Sequence, residues 1–343
     1  MTEFNSETLL VTNLLKRSID KKKVGLKKID KLVRLTGDAS TRRYYRVYDG
    51  TCSFVACLDK PFSDEQDSEF VSIQKIYLEN AVSVPFIYDV SPENGYILEQ
   101  DLGDCTLLSK LAETSSTVDE LKLYQSVLDD LIKIHKIKIE DYPNSSFTKR
   151  SFDYNKLLSE LEFTYKFMFK KFLNTNYSKK EESVLFSFFE KISSELSQGS
   201  KVVCHRDFHS RNIMMKDSKH YIIDFQDSML GIPQYDLVSL LEDCYYQVSP
   251  NNKTKLLRYY WKLTNTYSSV DQSYENFEYY YNIMAIQRIL KAIGSFCYIY
   301  YLREDIRYLK YIGFGFEKVR TFLNLFDDFH DAKNLMGKSY YES

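Results

Sequence analysis

Glycine and proline are scarce in this chain, at 11 and 6 of 343 residues, against a combined usage of roughly 12% in average proteins. That scarcity excludes a low-complexity chain and leaves a globular, helix-leaning one. Paired cysteines are lacking as well. Cys52, Cys57, Cys105, Cys204, Cys244 and Cys297 are scattered without a C-x-x-C pair, and a chain of this length needs no disulfide staples, so free thiols in a reducing cytoplasm are expected. Excess positive charge is absent. Lys plus Arg number 46 against 48 Asp plus Glu, a formal charge of -2, which gives none of the broad field that sequence-independent nucleic-acid binding requires. No run approaches roughly 18 apolar residues, and the opening MTEFNSETLLVTNLLKRSID is amphipathic with early acids. Neither an export signal nor a membrane partner is expected. No repeat at a fixed period occurs. What is abundant is Tyr (29) and Phe (23), which we read as codon bias. The length suits two packed units.

Residues 6–19 carry apolar side chains at helical spacing, followed by the basic run Lys21 to Lys23. From Val33 the pattern becomes strand and turn: RLTGDAST, then RYYRVY, then Asp49-Gly50 as a hairpin turn before the apolar strand Phe54 to Leu58. Ser63 with Gln66 predicts a capping box for a helix that presents Phe70, Ile73 and Tyr77 and ends near Asn80. VPFIYDV and GYILEQ read as two further strands around the turn SPEN. Beyond Gly103 the chain turns helical. Thr117 with Glu120 predicts a cap for a helix to about His135, and further helical stretches are expected near 152–173, 178–197, 252–267 and 276–327. The expected division is a β-rich lobe over 1–101 and a helical lobe over 102–343, with a ligand cleft between them.

Short strands interrupt the helices at 201–225, where Val202-Val203 lead into His205-Arg206-Asp207-Phe208-His209-Ser210-Arg211-Asn212, and Tyr221-Ile222-Ile223 lead into Asp224-Phe225-Gln226-Asp227. Phosphoryl transfer to an alcohol needs a carboxylate to orient the hydroxyl and accept its proton, and oxygen ligands for magnesium beside the triphosphate. The H-R-D-x-x-x-x-N loop followed by an Asp that opens D-F-G supplies those groups in kinases. Here Asp207 takes the base position, and Asn212 and Asp224 take the metal positions. Singly, each residue has an ordinary structural explanation in turn capping or backbone satisfaction; together, in order and in strand-loop context, they indicate kinase chemistry. A zinc site on His205 and His209 would require a helix, but the preceding valines indicate a strand, and Arg206 stands where a metalloprotease carries glutamate. His205 is expected in the core, holding the loop.

At these residues the chain resembles the aminoglycoside-phosphotransferase-like kinases, whose loop often carries a second His two residues after the Asp, as His209 is here. Gly231 to Leu237 is also similar to that family, with Asp236 expected as a helix cap. Gly37-Asp38-Ala39-Ser40-Thr41-Arg42-Arg43-Tyr44-Tyr45-Arg46-Val47 and Gln287-Arg288-Ile289-Leu290-Lys291-Ala292-Ile293-Gly294-Ser295-Phe296 are similar to segments of the bacterial kinases that phosphorylate N-acetylmuramate and N-acetylglucosamine at the anomeric hydroxyl. With gaps, the likeness runs from about residue 9 to 325. It implies an α+β, bilobal protein-kinase-like fold, with a small antiparallel-sheet N-lobe and a larger, mainly helical C-lobe. It implies ATP and Mg2+ as cofactors and an amino sugar as the small-molecule partner, for cell-wall sugar recycling. We assign nucleotide contacts to Gly37, Asp38, Ser40, Arg43 and Glu99, and substrate contacts to His209, Arg211, Arg288 and Lys291.

Two departures stand out. No G-x-G-x-x-G loop exists, and the strand Phe54 to Leu58 lacks the lysine that kinases place there, Lys60 lying just beyond. Arginine suits phosphate equally well, so Arg43 is expected to replace that lysine, with Arg46 and Lys60 next. Phosphotransferases acting on an aminoglycoside, choline or homoserine, and a pseudokinase binding module, are the alternatives. A protein kinase is disfavoured, because no A-P-E segment follows Asp224. Oligomeric state is not legible.

Overall fold

The computed structural model describes residues 2–35, 42–50, 52–265 and 273–342. Gly37, Asp38 and Ser40 lie outside the described residues. In chain order the first elements are α1 (Thr2–Asp20), β1 (Lys31–Leu35), β2 (Arg43–Asp49), β3 (Cys52–Leu58), α2 (Glu69–Glu79), β4 (Ile87–Ser91) and β5 (Tyr96–Gln100). There follow α3 (Leu107–Glu113), α4 (Thr117–His135), α5 (Tyr154–Thr164) with a π-helical continuation Tyr165–Phe172, and α6 (Lys179–Ser197). Four short strands come next: β6 (Val202–Cys204), β7 (Ile213–Lys216), β8 (Lys219–Ile222) and β9 (Met229–Gly231). The chain ends in α7 (Gln234–Leu241), α8 (Pro250–Asn265), α9 (Tyr274–Arg303), α10 (Ile312–Leu323) and α11 (His330–Tyr341). It divides into two compact units, Met1–Cys105 with Met214–Gln226, and Thr106–Ile213 with Asp227–Ser343. Among the described residues no helix is long and apolar enough to cross a membrane.

The first unit is built on an antiparallel sheet of order β1-β2-β3-β5-β4. Strand alternation sorts its two faces. Tyr45, Val47, Phe54, Ala56, Leu58, Tyr96 and Leu98 all point to one face, where Val11, Leu14 and Leu15 of α1 and Leu26 complete a buried core. Burying each of these aliphatic side chains is worth about 1.5–3 kcal/mol, which is why the amphipathic α1 stays on the sheet. Arg43 shares that face and pairs with Glu7 of α1 at 2.7 Å. Arg46 lies on the opposite face, where its guanidinium bonds Asp101 (2.8 Å), Asp104 (2.9 Å) and the Gly103 carbonyl (3.1 Å), clamping the segment after β5.

The second unit is almost wholly helical, with β6 paired to β9. In the first unit, the hairpin β7–β8 turns through Asp217 and Ser218, both left-handed (φ 51° and 61°), the backbone that a two-residue turn between right-twisted strands requires. Three expectations shift. The cap of α2 is Ser68, accepting from the Val71 amide, because the chain from Ser63 first makes a 3₁₀ turn at Glu65–Asp67. The cap of α4 is Ser116 instead of Thr117, accepting from Val118 and Asp119. The stretch 276–327 is broken at Glu304, whose φ of 53° ends α9 before a 3₁₀ segment, Ile306–Tyr311, leads into α10.

Candidate active site

In the second unit, β6 delivers the chain into a loop, not a helix, at His205–Asn212, so His205 and His209 do not share the helical face that a zinc pair requires. His205 is fully buried. Arg206 takes φ 84°, a conformation costly for a side-chain-bearing residue that the surroundings must hold in place. They do so through Asp236. It is not the cap of α7 but a buried residue in the first turn, and it accepts from the amides of His205 (2.6 Å) and Arg206 (2.9 Å), with His135 Nε2 at 3.2 Å. At the other end of the loop, Asp243 accepts from the Ser210 amide (3.1 Å), the Ser210 hydroxyl and the Tyr245 amide (2.6 Å). The contacts of Asp236 with His205 and Arg206 and of Asp243 with Ser210 are not visible in sequence, since each spans 30 residues or more.

Asp207 stands between these anchors with its side chain 32% exposed. Arg288 Nη2 lies 3.3 Å and Lys291 Nζ 3.5 Å from its Oδ1, both projecting from α9. These are ion pairs at the long edge of hydrogen-bond range. Arg288 is 7% exposed and fixed on two further sides, by the Ser239 hydroxyl at 2.9 Å and the Tyr235 ring at 5.5 Å. Loss of water pushes the Asp207 carboxyl up, but Lys291 and Arg288, with His209 and Arg206, outweigh it and hold the group well below the usual carboxylate range. Lys291 is itself lowered, because burial outweighs its attraction to Asp207. His209 is pushed down to about 3, by burial first and by Arg288 among its neighbours, against the pull of Asp207, so it stands neutral near pH 7. Asn212 donates Nδ2 to the Asp207 carbonyl at 3.0 Å, which commits the nitrogen end of its amide. Arg211 lies over the rings of Tyr245 (5.1 Å) and Tyr308 (5.6 Å), and Tyr245 meets the His209 ring at 5.5 Å.

In the first unit, Asp224 is exposed and left-handed (φ 65°), with Oδ1 accepting from Gln226 Nε2 at 2.9 Å. Phe225 anchors it from below: its ring is fully buried, stacks on Phe70 at 4.9 Å and leans on Tyr77 at 5.6 Å. Arg42 lies over the other neighbour of that stack, 5.5 Å from the Phe70 ring, and pairs with Asp59 at 2.7 Å. Glu99 is 7% exposed, and burial raises its carboxyl to about 8 despite the charge of Arg42. The hard oxygen donors that magnesium takes are present at Asn212 and Asp224.

Among known proteins, the sequence pattern of the phosphotransferase enzyme family matches residues 31–268. The chain belongs to that family. An N-acetylmuramate/N-acetylglucosamine kinase of Pseudomonas aeruginosa is 29% identical over 283 residues, covering 81% of this chain and 79% of that protein. The protein of the same name in Neisseria meningitidis serogroup B is 26% identical over 283 residues, covering 80% and 82%. In structure, a choline/ethanolamine kinase family protein from Mesorhizobium loti superposes with a TM-score of 0.56 at 14% identity, covering 93% of this chain and 98% of that one. The fold is therefore the expected α+β protein-kinase-like one, and this member of the phosphotransferase family is a kinase-type enzyme with a small-molecule acceptor.

Proposed function

We propose that this phosphotransferase uses ATP and magnesium to phosphorylate the anomeric hydroxyl of N-acetylmuramate, N-acetylglucosamine or both, supplying sugar 1-phosphates for cell-wall sugar recycling. The observation that carries this reading is the meeting of two separate sequence features. Arg288 and Lys291, from the stretch that resembles the amino-sugar kinases, lie on Asp207 of the phosphotransfer loop. A carboxylate ringed by cations stays ionised but is a weak base, so it suits a hydroxyl more acidic than an ordinary alcohol. The hemiacetal hydroxyl of a reducing sugar is such a group.

In this reading Asp207 orients that hydroxyl and receives its proton, while the oxygens of Asn212 and of Asp224 are each candidates to ligate magnesium. Magnesium, when bound, neutralises charge on the phosphates. Arg288 and Lys291 keep Asp207 charged and lend the substrate end of the loop a positive character suited to the lactyl carboxylate of N-acetylmuramate. The same cations oppose an aminoglycoside or choline, which are themselves cationic. Arg43 and Glu99 remain nucleotide-side candidates. The pairing of Arg43 with Glu7 and the neutral carboxyl favoured at Glu99 suit supporting parts in the sheet better than direct phosphate contact.

The test is ATP turnover with N-acetylmuramate, N-acetylglucosamine, glucosamine, choline, homoserine and an aminoglycoside, followed by phosphorus NMR of the product. A C1 phosphate on either N-acetyl sugar is expected. A C6 phosphate, turnover confined to the cationic acceptors, or nucleotide binding without turnover would overturn the reading.

A further inference from the structure

The loop that carries Asp207 and Asn212 has little to hold it from within. Its internal bonds are His209 N to Asp207 O (3.1 Å), Asn212 N to His209 O (2.9 Å) and Asn212 Nδ2 to Asp207 O (3.0 Å). It includes one left-handed non-glycine residue, Arg206. A loop so built needs external anchors, and it has two carboxylates. Asp236 takes the near end by the His205 and Arg206 amides. Asp243 takes the far end by both the amide and the hydroxyl of Ser210. Both acids are almost fully buried, at 0% and 4% exposure, and Ser210 is at 0%.

The second anchor is itself braced from three helices. Lys318 of α10 donates to the Asp243 carbonyl at 3.0 Å and lies 3.4 Å from Glu242, while Lys253 of α8 and Tyr281 of α9 bond Glu242 at 2.8 and 2.9 Å. A charged acceptor gives stronger hydrogen bonds than a neutral one, and Asp243 accepts three, two from backbone amides and one from a hydroxyl. Two of these lock Ser210. The third fixes Tyr245, whose ring meets His209.

We propose that Asp243 is a positioning residue for phosphoryl transfer: through Ser210 it fixes the far end of the loop, and so sets where Asp207 and Asn212 stand. The proposal rests on the roles given above to those two residues. Asp236 holds only the near end of the loop; at the far end Ser210 is held by Asp243 through its amide and hydroxyl, and by the Leu108 amide, which donates to its carbonyl at 3.1 Å. Ser210 hands the restraint on directly, because it lies two residues before Asn212 and one after His209, whose carbonyl receives the Asn212 amide.

The deciding experiment compares Ser210→Ala and Ser210→Thr with the parent protein, and adds Asp243→Asn, which keeps the shape of the anchor while removing its charge. For Ser210→Ala a fall in kcat of tenfold or more is expected, with KM for the sugar within threefold and a melting temperature lowered by no more than a few degrees. Ser210→Thr, which restores the hydroxyl, should recover most of kcat. Asp243→Asn should follow Ser210→Ala. Amide hydrogen exchange at Asn212 should quicken by tenfold or more in Ser210→Ala, while the helices keep their protection. Parent-like kcat and exchange in Ser210→Ala would overturn the proposal. So would a loss that threonine does not restore and that tracks the melting temperature. If the parent protein turns over neither N-acetyl sugar, the substrate reading fails alone, and the exchange comparison still decides this one.

Discussion

Asp207 carries its charge among buried cations, so its replacement acts twice. Asp207→Asn removes the group assigned to receive the proton, and turnover should fall by roughly 10² to 10⁴, the usual worth of a positioned base. It also leaves Arg288, 7% exposed, and Lys291 without their shared counter-charge. An uncompensated buried charge is strongly destabilising, so the melting temperature should drop while magnesium-nucleotide binding survives. Single-turnover kinetics with calorimetry on the folded variant check both halves, and near-parental chemistry would remove Asp207 from its assigned role. Glu99 is the opposite kind of residue. Its carboxyl is raised to about 8 by burial, against roughly 4.3 in an unfolded chain. The folded protein therefore binds this proton more tightly than the unfolded chain does, and its stabilising effect is greatest below the unfolded value and fades as pH rises toward 8. Glu99→Gln has no proton to lose. Its melting temperature relative to the parent should climb between about pH 5 and pH 8 and level off above; a constant difference across that interval would contradict a raised carboxyl.

At the scale of elements, α9 determines whether the cations reach the loop, and Gly294 determines where α9 lies. A Cβ at Gly294 would meet the Thr164 hydroxyl oxygen at 2.5 Å and its Cα at 2.8 Å, and a backbone atom cannot step aside as a long side chain can. Thr164 is pinned as well, because its hydroxyl donates to the Leu290 carbonyl of α9 at 2.9 Å. Gly294→Ala should push α9 away from the end of α5, cost about 1 to 3 kcal/mol as overpacking does, and loosen Arg288 and Lys291 from Asp207. The melting temperature and kcat should fall together, whereas Ser210→Ala should lose kcat out of proportion to its stability. Parental stability would mean that the two helices can separate freely. Sequence alone placed Gly294 in a recognisable stretch without its reason, which is the close approach of a partner more than 100 residues away. The caps of α2 and α4 were misplaced for a local reason: Ser63, Ser68, Ser116 and Thr117 are chemically equivalent candidates, and only the path of the chain into each helix chooses among them.

Across the whole molecule, what was legible is what neighbours in sequence do together: the hairpin at Gly50, the sheet strands, the long amphipathic helices and the loop from His205 to Asn212. What was not legible is what holds them. Asp236 and Asp243 at the loop ends, Glu7 on Arg43, and Arg46 closed on Asp101 and Asp104 all depend on chain closure over distances that periodicity does not encode. The seven-residue helix α3 escaped for want of enough turns to show a period. Ligand binding gives a global readout of the assigned metal residues, since a ligand that binds only the folded state stabilises it by about 2.7 kcal/mol at a hundred times its dissociation constant. Magnesium-ATP should therefore raise the melting temperature of the parent by several degrees, and chelation with EDTA should cancel most of the rise. Asp224 is exposed with φ 65°, so alanine there would add backbone strain of its own, whereas asparagine tolerates the left-handed region. Asp224→Asn is thus the informative substitution: its unliganded melting temperature should match the parent, and its gain on adding magnesium-ATP should shrink to a third or less. An undiminished, EDTA-sensitive gain in Asp224→Asn would show that the metal is held elsewhere.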